Sequence, residues 1–450
     1  MAAITFYTEK HPDMKQLYVL TLILLTCTGQ GCRNQEHMLA DRLNEAIRPL
    51  PPGSPREYEN QLLEGLLPWE EYSVIGLGEA THGTMDFFEL KQRLFRFLAE
   101  EHGCRILAYE YSYRRSLYIN DYIHHKHDSL GALFRGDLWI QDNETVRQFI
   151  SWMRDYNDGR SENEQLNFIG IDNQVDALKL EEVLEQLSHY VPAMNLDTEM
   201  FPYNLPGKKE VRYEDMTASE YDAIKQAMLQ LQDQVRSRVL PLEDPGWQSD
   251  GRVALELVRS LLDSHEFLYL LFSEGTNIRD RQLAENVLRI RQASGGSDPV
   301  AVWAHNAHVA CNPHYSANGS PAMGWYLRDT LKAGYLSVAT SFSGGAFTAV
   351  MLDSAGNDTP PMTCRISGDP PEESVNALLH RARYPQFTLN IRDLNADNPL
   401  YRYLNEERPM IGVGDLYLGS PKLHFTDDRI INLVRAHDLL FYYNQTRPLL

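Results

Sequence analysis

From residue 71 onward the chain alternates between two hydrophobic patterns. Short apolar runs without polar alternation span Tyr72–Gly76, Arg105–Tyr109, Asn167–Ile171, Val300–Trp303, Tyr335–Thr340 and Phe347–Leu352. Runs of that kind predict strands buried on both faces. Between the early runs lie longer stretches in which apolar residues recur every three or four positions, the signature of amphipathic helices. The first such stretch carries Phe87, Phe88, Leu94, Phe97 and Leu98 on one stripe and ends at Gly103. Asp86, with Glu89 three residues on, resembles a capping box at its start. Strands alternating with helices predict an α/β fold with a mainly parallel central sheet flanked by helices.

The pattern changes between about residues 175 and 290. "DALKLEEVLEQLSHY", "TASEYDAIKQAMLQLQDQVRSRVL" and "RVALELVRSLLDSHEFLYLLF" all have helical periodicity and little strand signal. This is expected to be a helical insertion forming a cap over an active-site cleft. Ahead of residue 71, "EHMLADRLNEAIRPL" reads as a helix stopped by prolines. Beyond about residue 360, runs such as "QFTLNI" and "DLLFYYN" read as closing strands joined by loops.

The first 37 residues stand apart. Lys15 precedes the apolar run Leu17 to Thr28, which is too short to span a bilayer but suits a signal segment. With Met14 as the start, the segment looks like a bacterial lipoprotein leader ending at Cys32. The expectation is an exported protein, periplasmic or attached to the membrane through a lipidated Cys32, with residues 38–450 as the working domain. Cys104, Cys311 and Cys364 are scattered and form no C-x-x-C, so they read as packing residues. The 450 residues carry a formal net charge of -20 with no basic face in the pattern, which excludes nucleic acid as a partner.

Polar residues collect where the predicted strands end. Glu79 and His82 follow the first, Glu110 the second, Asp172 and Asn173 the third, and His305, Asn306 and His308 the fourth. In open parallel sheets the carboxyl ends of strands form the binding crevice. The turn "GLGEATHG" begins like a dinucleotide-binding loop, but Thr81 stands where the third glycine belongs and Glu79 would repel a pyrophosphate. No G-x-S-x-G occurs, which removes the usual serine-hydrolase elbow.

Two chemistries suit these residues. In one, a histidine takes a proton from water while a carboxylate fixes its tautomer, with a second histidine stabilising an oxyanion or protonating a leaving group. In the other, imidazoles and carboxylates hold a divalent metal, although H-E-x-x-H is absent. No cofactor is otherwise implied. "HHKH" (His124 to His127) reads as a solvated helix face. Arg114 either lines a substrate cleft beside Glu110 or belongs to an ordinary amphipathic segment. Arg279, Asp280 and Glu285 either face a site or pair on a surface. The Arg-Gly-Asp string at 135–137 leads towards a helix and is not read as an adhesion motif.

"GEATHGTMDFFELKQRLFRFLAEEHGCRILAYE", "DNETVRQFISWMRDYN", "LNFIGIDNQ", "RDRQLAENV", "VWAHNAHV" and "MGWYLRDTL…YLSVATSFSGGAF" together resemble the erythromycin esterase family, in order along roughly residues 40–445. The resemblance implies hydrolysis of a small-molecule ester, the macrolide lactone in resistance members, by water activated on a histidine. Carried over by motif, that base is His82 with Glu79 as partner, and His305 and His308 form the second histidine motif. Glu110 matches the acidic residue after the second strand. Lys91 or Arg93 matches a basic residue of the first helix, and Asn306 and Arg114 join them as substrate-binding candidates. Asp86 departs from the glutamate expected there. Competing readings are a metal-dependent hydrolase of another bond and a non-catalytic ligand-binding lipoprotein. Substrate choice does not travel with a fold.

Overall fold

A computed structural model describes residues 36–130, 139–174, 176–192, 212–239, 249–296, 298–313, 320–425 and 430–449. The leader with Cys32 and the Arg-Gly-Asp string lie outside them. The strands are β1 (Ile47–Pro49), β2 (Val74–Glu79), β3 (Ile106–Tyr109), β4 (Asn167–Gly170), β5 (Val300–His305), β6 (Tyr335–Ala349), β7 (Met362–Ile366), β8 (Gln386–Asn390) and β9 (Leu439–Thr446); all but β1 and β7 fall on predicted runs. They form one sheet in the order β1-β8-β9-β6-β2-β5-β3-β4, with β7 paired to β6. The six strands from β9 to β4 are mutually parallel, and β8 and β7 add antiparallel pairs.

Two expectations are corrected. The run Tyr335–Thr340 and the first three residues of Phe347–Leu352 belong to a single 15-residue strand that ends at Ala349, because Gly344 and Gly345 continue the ladder against β9 instead of turning. The helix at residues 36–46 ends before β1, since Ile47–Pro49 pairs antiparallel with β8.

Alternate residues of the central strands serve two cores, as strand periodicity requires. Ile75, Leu77, Leu107, Ala301 and Trp303 face helices α1 (Met85–Glu101) and α3 (Glu144–Asn157); α2 (Tyr113–Ile123) comes between these in the chain. Val74, Ile106, Ala108, Val300 and Val302 face the other way, into a core shared with the insertion. That insertion is helical as expected: α4 (Leu180–Tyr190), α5 (Ala218–Val239), α6 (Asp250–Glu274) and α7 (Arg279–Ala293). Leu187, Leu231, Leu257 and Val287 bring all four of its helices into the sheet's own core. Two further helices follow β5, namely α8 (Asn306–Val309) and α9 (Met323–Leu331).

The β2–α1 turn depends on space more than on backbone freedom. A Cβ at Gly83 would be driven onto the Thr348 carbonyl, and one at Gly78 onto Asn306 Oδ1. Gly83 O accepts from the Thr348 N–H at 2.8 Å and the Leu449 N–H at 2.9 Å, so the backbone there has little room to withdraw. Asp86 does not cap α1. Thr84 is the N-cap residue and makes no side-chain cap bond, whereas Asp86 accepts from the Arg447 N–H at 2.7 Å and from Arg447 Nε at 2.9 Å. Glu89 is likewise engaged by Arg447, at 2.6 Å, so both carboxylates tie α1 to the chain end. Gly83→Ala is expected to destabilise the fold by ~2 kcal/mol or more, the cost of overpacking a site that cannot relax. A urea midpoint equal to wild type would show that the Thr348 segment yields freely.

Candidate active site

Glu79 and His305 pair across β2 and β5 and share the strand parity of Leu77 and Trp303. Both therefore project to the α1 side, just past the last core side chains. His82 follows in the turn. Its Nδ1 lies 2.7 Å from Glu79 Oε1, and its ring centroid is 5.1 Å from that of His305. The other Glu79 oxygen is paired with Lys91 Nζ, from the second turn of α1. Lys91 is 1% exposed, and its ammonium sits 4.2 Å from the centroid of the Trp303 ring, a cation–π contact. Burial lowers the Lys91 ammonium to about 8, with Glu79 resisting.

A second charged cluster adjoins the first. Glu110 Oε2 accepts the His305 backbone N–H at 2.9 Å, while its Oε1 meets Arg279 Nη2 at 2.8 Å and His308 Nε2 at 3.2 Å. Arg279 also grips Asp172, with 2.7 Å from Nη2 to Oδ2 and 3.1 Å from Nε to Oδ1. His308 Nδ1 lies 2.7 Å from Asp280 Oδ1, which takes the Met323 N–H as well, at 2.8 Å. Three carboxylates thus surround one guanidinium and one imidazole. Burial opposes charge on His308, but Asp280 and Glu110 prevail and hold it well above the ordinary imidazole range. Burial likewise opposes charge on Glu110, yet His308 and Arg279 keep that carboxyl well below its usual range.

Counted together, four carboxylates (Glu79, Glu110, Asp172, Asp280) face three permanent or near-permanent cations (Lys91, Arg279, His308). One positive charge is missing, and His82 can supply it by taking a proton. Burial disfavours the His82 imidazolium, but the Glu79 hydrogen bond and charge, with Glu110 behind, raise its pKa above the model-peptide value of 6.5. With Nδ1 held by Glu79, Nε2 is the nitrogen left to accept a proton from outside.

The structure brings Glu79, His82, Lys91, Glu110, His305 and His308 together. It does not bring Arg93, whose side chain turns outward to the Tyr58 carbonyl at 2.6 Å and to Asn60. Lys91 is thus the basic residue of α1 that faces the turn. Arg114 does not reach either; it is buried against Glu182 of α4 at 2.9 Å. The Asn306 amide is occupied at both ends, donating to Thr340 O at 2.7 Å and accepting from Thr340 N at 3.1 Å, so it clamps α8 to β6. Arg279 and Asp280 face the site, whereas Glu285 pairs on the surface with Arg281 at 3.8 Å.

Trp303 had no sequence signal beyond its place in an apolar strand. Cys311 is packed as expected, burial pushing its thiol up to about 12. His124 spends both ring nitrogens on Gln165 and Asn167, at 2.7 and 2.9 Å. Among the described residues, no group of three or more His, Cys, Asp or Glu side chains is arranged to hold a metal ion. Arg279 and Lys91 stand where a dication would have to compete for these carboxylates.

The fold and this cluster define an α/β protein with a buried group of carboxylates, imidazoles and cations at the carboxyl edge of a parallel sheet. The chain belongs to the erythromycin esterase family, whose model matches residues 99–446. Membership places the protein among the esterase-type hydrolases. The matched span includes Glu110, Asp172, Arg279, Asp280, His305 and His308 and begins after the Glu79–His82 turn. The chain is 24% identical over 309 residues to erythromycin esterase type II of Escherichia coli, covering 60% of this chain and 69% of that one.

Three solved structures share the fold. One is a Bacillus cereus protein (TM-score 0.69, 20% identity, 92% of this chain and 98% of that one). Another is described as a succinoglycan biosynthesis protein (TM-score 0.68, 19% identity, 91% and 97%). The third is a mutant of the erythromycin esterase EreC in its open conformation (TM-score 0.58, 16% identity, 87% and 96%).

Lys91→Met leaves the Glu79 carboxylate buried without its cation and is expected to cost ~3 kcal/mol or more of stability. Equilibrium denaturation at pH 7 measures this; an unchanged free energy would mean that Glu79 finds another partner or takes up a proton at no cost.

Proposed function

We propose that the protein hydrolyses carboxylic esters, macrolide lactones among them, by a water molecule activated at His82. The observation that carries this reading is the charge deficit of the site. Four carboxylates and three cations sum to one negative, and the His82 imidazole, paired with Glu79 at 2.7 Å, can cancel it by taking a proton. Such a field raises the proton affinity of His82, as a general base requires.

The steps follow from the geometry. His82 Nε2 takes a proton from water as the oxygen attacks the ester carbonyl. Glu79 accepts the Nδ1–H, fixes the tautomer and stabilises the imidazolium, while its ion pair with Lys91 holds Glu79 in place. His305, with its ring beside that of His82 and its backbone N–H anchored on Glu110, is the group to donate to the developing oxyanion. His82 then returns its proton to the leaving alkoxide, and acid and alcohol depart. Arg279, Asp280 and His308 hold Glu110 and α8 rather than touch the substrate. Similarity to the E. coli esterase supports an ester as the bond broken.

We propose further that no metal takes part, since Lys91 and Arg279 already neutralise the carboxylates that would bind one. Export through the leader remains our reading of residues 1–37, and no helix among the described residues is long and apolar enough to cross a membrane.

His82→Asn is expected to fold normally and to lose on the order of 10²-fold or more in kcat on macrolide and aryl esters. Near-wild-type turnover by this variant would remove His82 as the base. The pH profile has a definite sign. The base acts in its neutral form, so kcat/KM should rise with pH on a limb whose apparent pKa lies above 6.5. A limb centred below 6.5 would contradict the charge argument. Chelation should leave the rate unchanged, and loss of turnover restored by a divalent ion would overturn the metal-free reading.

A further inference from the structure

A groove runs beside the site without any part in the steps above. One wall is Met410, Ile411, Ile430 and Ile431, and the other is Ala307 and Ala310, at the start of α8 and just beyond its end. It encloses about 490 Å³, counting the part open to solvent.

The position of the groove sets its meaning. His305 is among its lining residues, and the same imidazole stands 5.1 Å from the His82 ring. The Met410 wall is tied to the catalytic turn, because the Val413 N–H donates to Ala80 O at 2.8 Å and Val413 bridges Thr81. Ile430 and Ile431 are held by antiparallel pairing with Pro409 and Arg408. An apolar chain lying here therefore comes against His305, the neighbour of His82.

His437 also lines the groove. It is 2% exposed, and its Nδ1 meets Ser337 Oγ at 2.8 Å. Its Nε2 is buried and has no hydrogen-bond partner. A buried polar atom left so is costly, and most are satisfied in native proteins. Burial lowers this imidazole to about 3, with Arg328 adding to the effect, so the ring is neutral and Nε2 is either a single donor or a single acceptor. Ser337 Oγ also lies 2.8 Å from Val309 O, and its one proton can go to either neighbour, so either tautomer is compatible with the geometry. A hydroxyl satisfies both cases, because it donates and accepts.

We propose that this groove is the subsite for one arm of the ester substrate, an extended apolar chain that carries a hydroxyl for His437 and places its carbonyl at His82 and His305. The proposal rests on the ester-hydrolase reading and sharpens it to a substrate class: hydroxylated aliphatic esters rather than short aryl esters. The apolar walls supply binding through burial, and the lone imidazole nitrogen supplies selection, since a ligand without the hydroxyl leaves that nitrogen unpaired.

The test uses the full chain and two ester probes, ethyl octanoate and its terminal-hydroxy counterpart, with para-nitrophenyl acetate as the short reference. Wild type should prefer the hydroxy ester over ethyl octanoate by tenfold or more in kcat/KM, and His437→Phe should erase that preference. Ile431→Trp, which fills the groove from its outer wall, should lower the ratio of hydroxy ester to aryl acetate kcat/KM at least tenfold, mainly through KM. Equal ratios in wild type and both variants would overturn the proposal.

Calorimetric binding of the hydroxy ester to His82→Asn protein, with and without Ile431→Trp, separates this failure from failure of the esterase reading. Binding weakened tenfold by Ile431→Trp, with no turnover by wild type, would keep the groove and discard the hydrolase. Absent binding, or equal affinity in both proteins, would discard the groove whatever the turnover.

Discussion

Charge balance in a largely buried cluster organises this protein. Glu79, Glu110, Asp172 and Asp280 are gathered at one edge of the sheet, where burial makes an unpaired charge costly. Each is matched to a cation from a different part of the chain. Lys91 comes from α1, Arg279 from the last helix of the insertion, and His308 from the short helix after β5. The bonds are strong because the site is buried, and the site tolerates burial because the bonds are made. His82 completes this arrangement as an imidazole that can gain or lose its charge.

The same constraint gives the helical insertion a second role. A cap needs only to cover a cleft, but α7 also delivers Arg279 and Asp280 to the sheet edge. Arg279 lies 107 residues from Asp172 and 169 from Glu110 in sequence. Met323, at the start of α9, adds its backbone N–H to Asp280. Disturbing the packing of α7 on the sheet would therefore change the electrostatics of the site along with its access. Trp303 acts similarly from within β5. Its ring gives the Lys91 ammonium an apolar yet electron-rich face, so a lysine can sit 1% exposed beside a carboxylate.

Much of the architecture was readable because it is local. Unbroken apolar runs mark strands buried on both faces, and five of the six expected runs became separate strands or the start of one. The exception, Phe347–Leu352, joined the strand before it because the paired glycines that suggest a turn also permit an uninterrupted ladder against β9. Asp86 and Glu89 looked like a capping box because spacing is visible in sequence. Their true partner, Arg447, lies 361 and 358 residues away and is not. Arg93 and Lys91 were indistinguishable for a related reason. They are two residues apart on one helix, and only the docking of α1 on the sheet decides which of them turns inward.

By itself the sequence determined the order of elements, the parallel α/β class, and the set of polar residues that strand ends carry to one edge. These depend on side-chain periodicity and on turns of a few residues, where chain connectivity alone brings groups together. The tertiary structure decided which charge meets which. It gave Lys91 to Glu79 and Arg279 to Asp172 and Glu110, turned Arg93 and Arg114 away from the cleft, engaged the Asn306 amide with Thr340, and set His437 against an apolar groove beside His305. Pairing of this kind depends on distances of a few ångströms between segments separated by up to hundreds of residues, and periodicity carries no information about them.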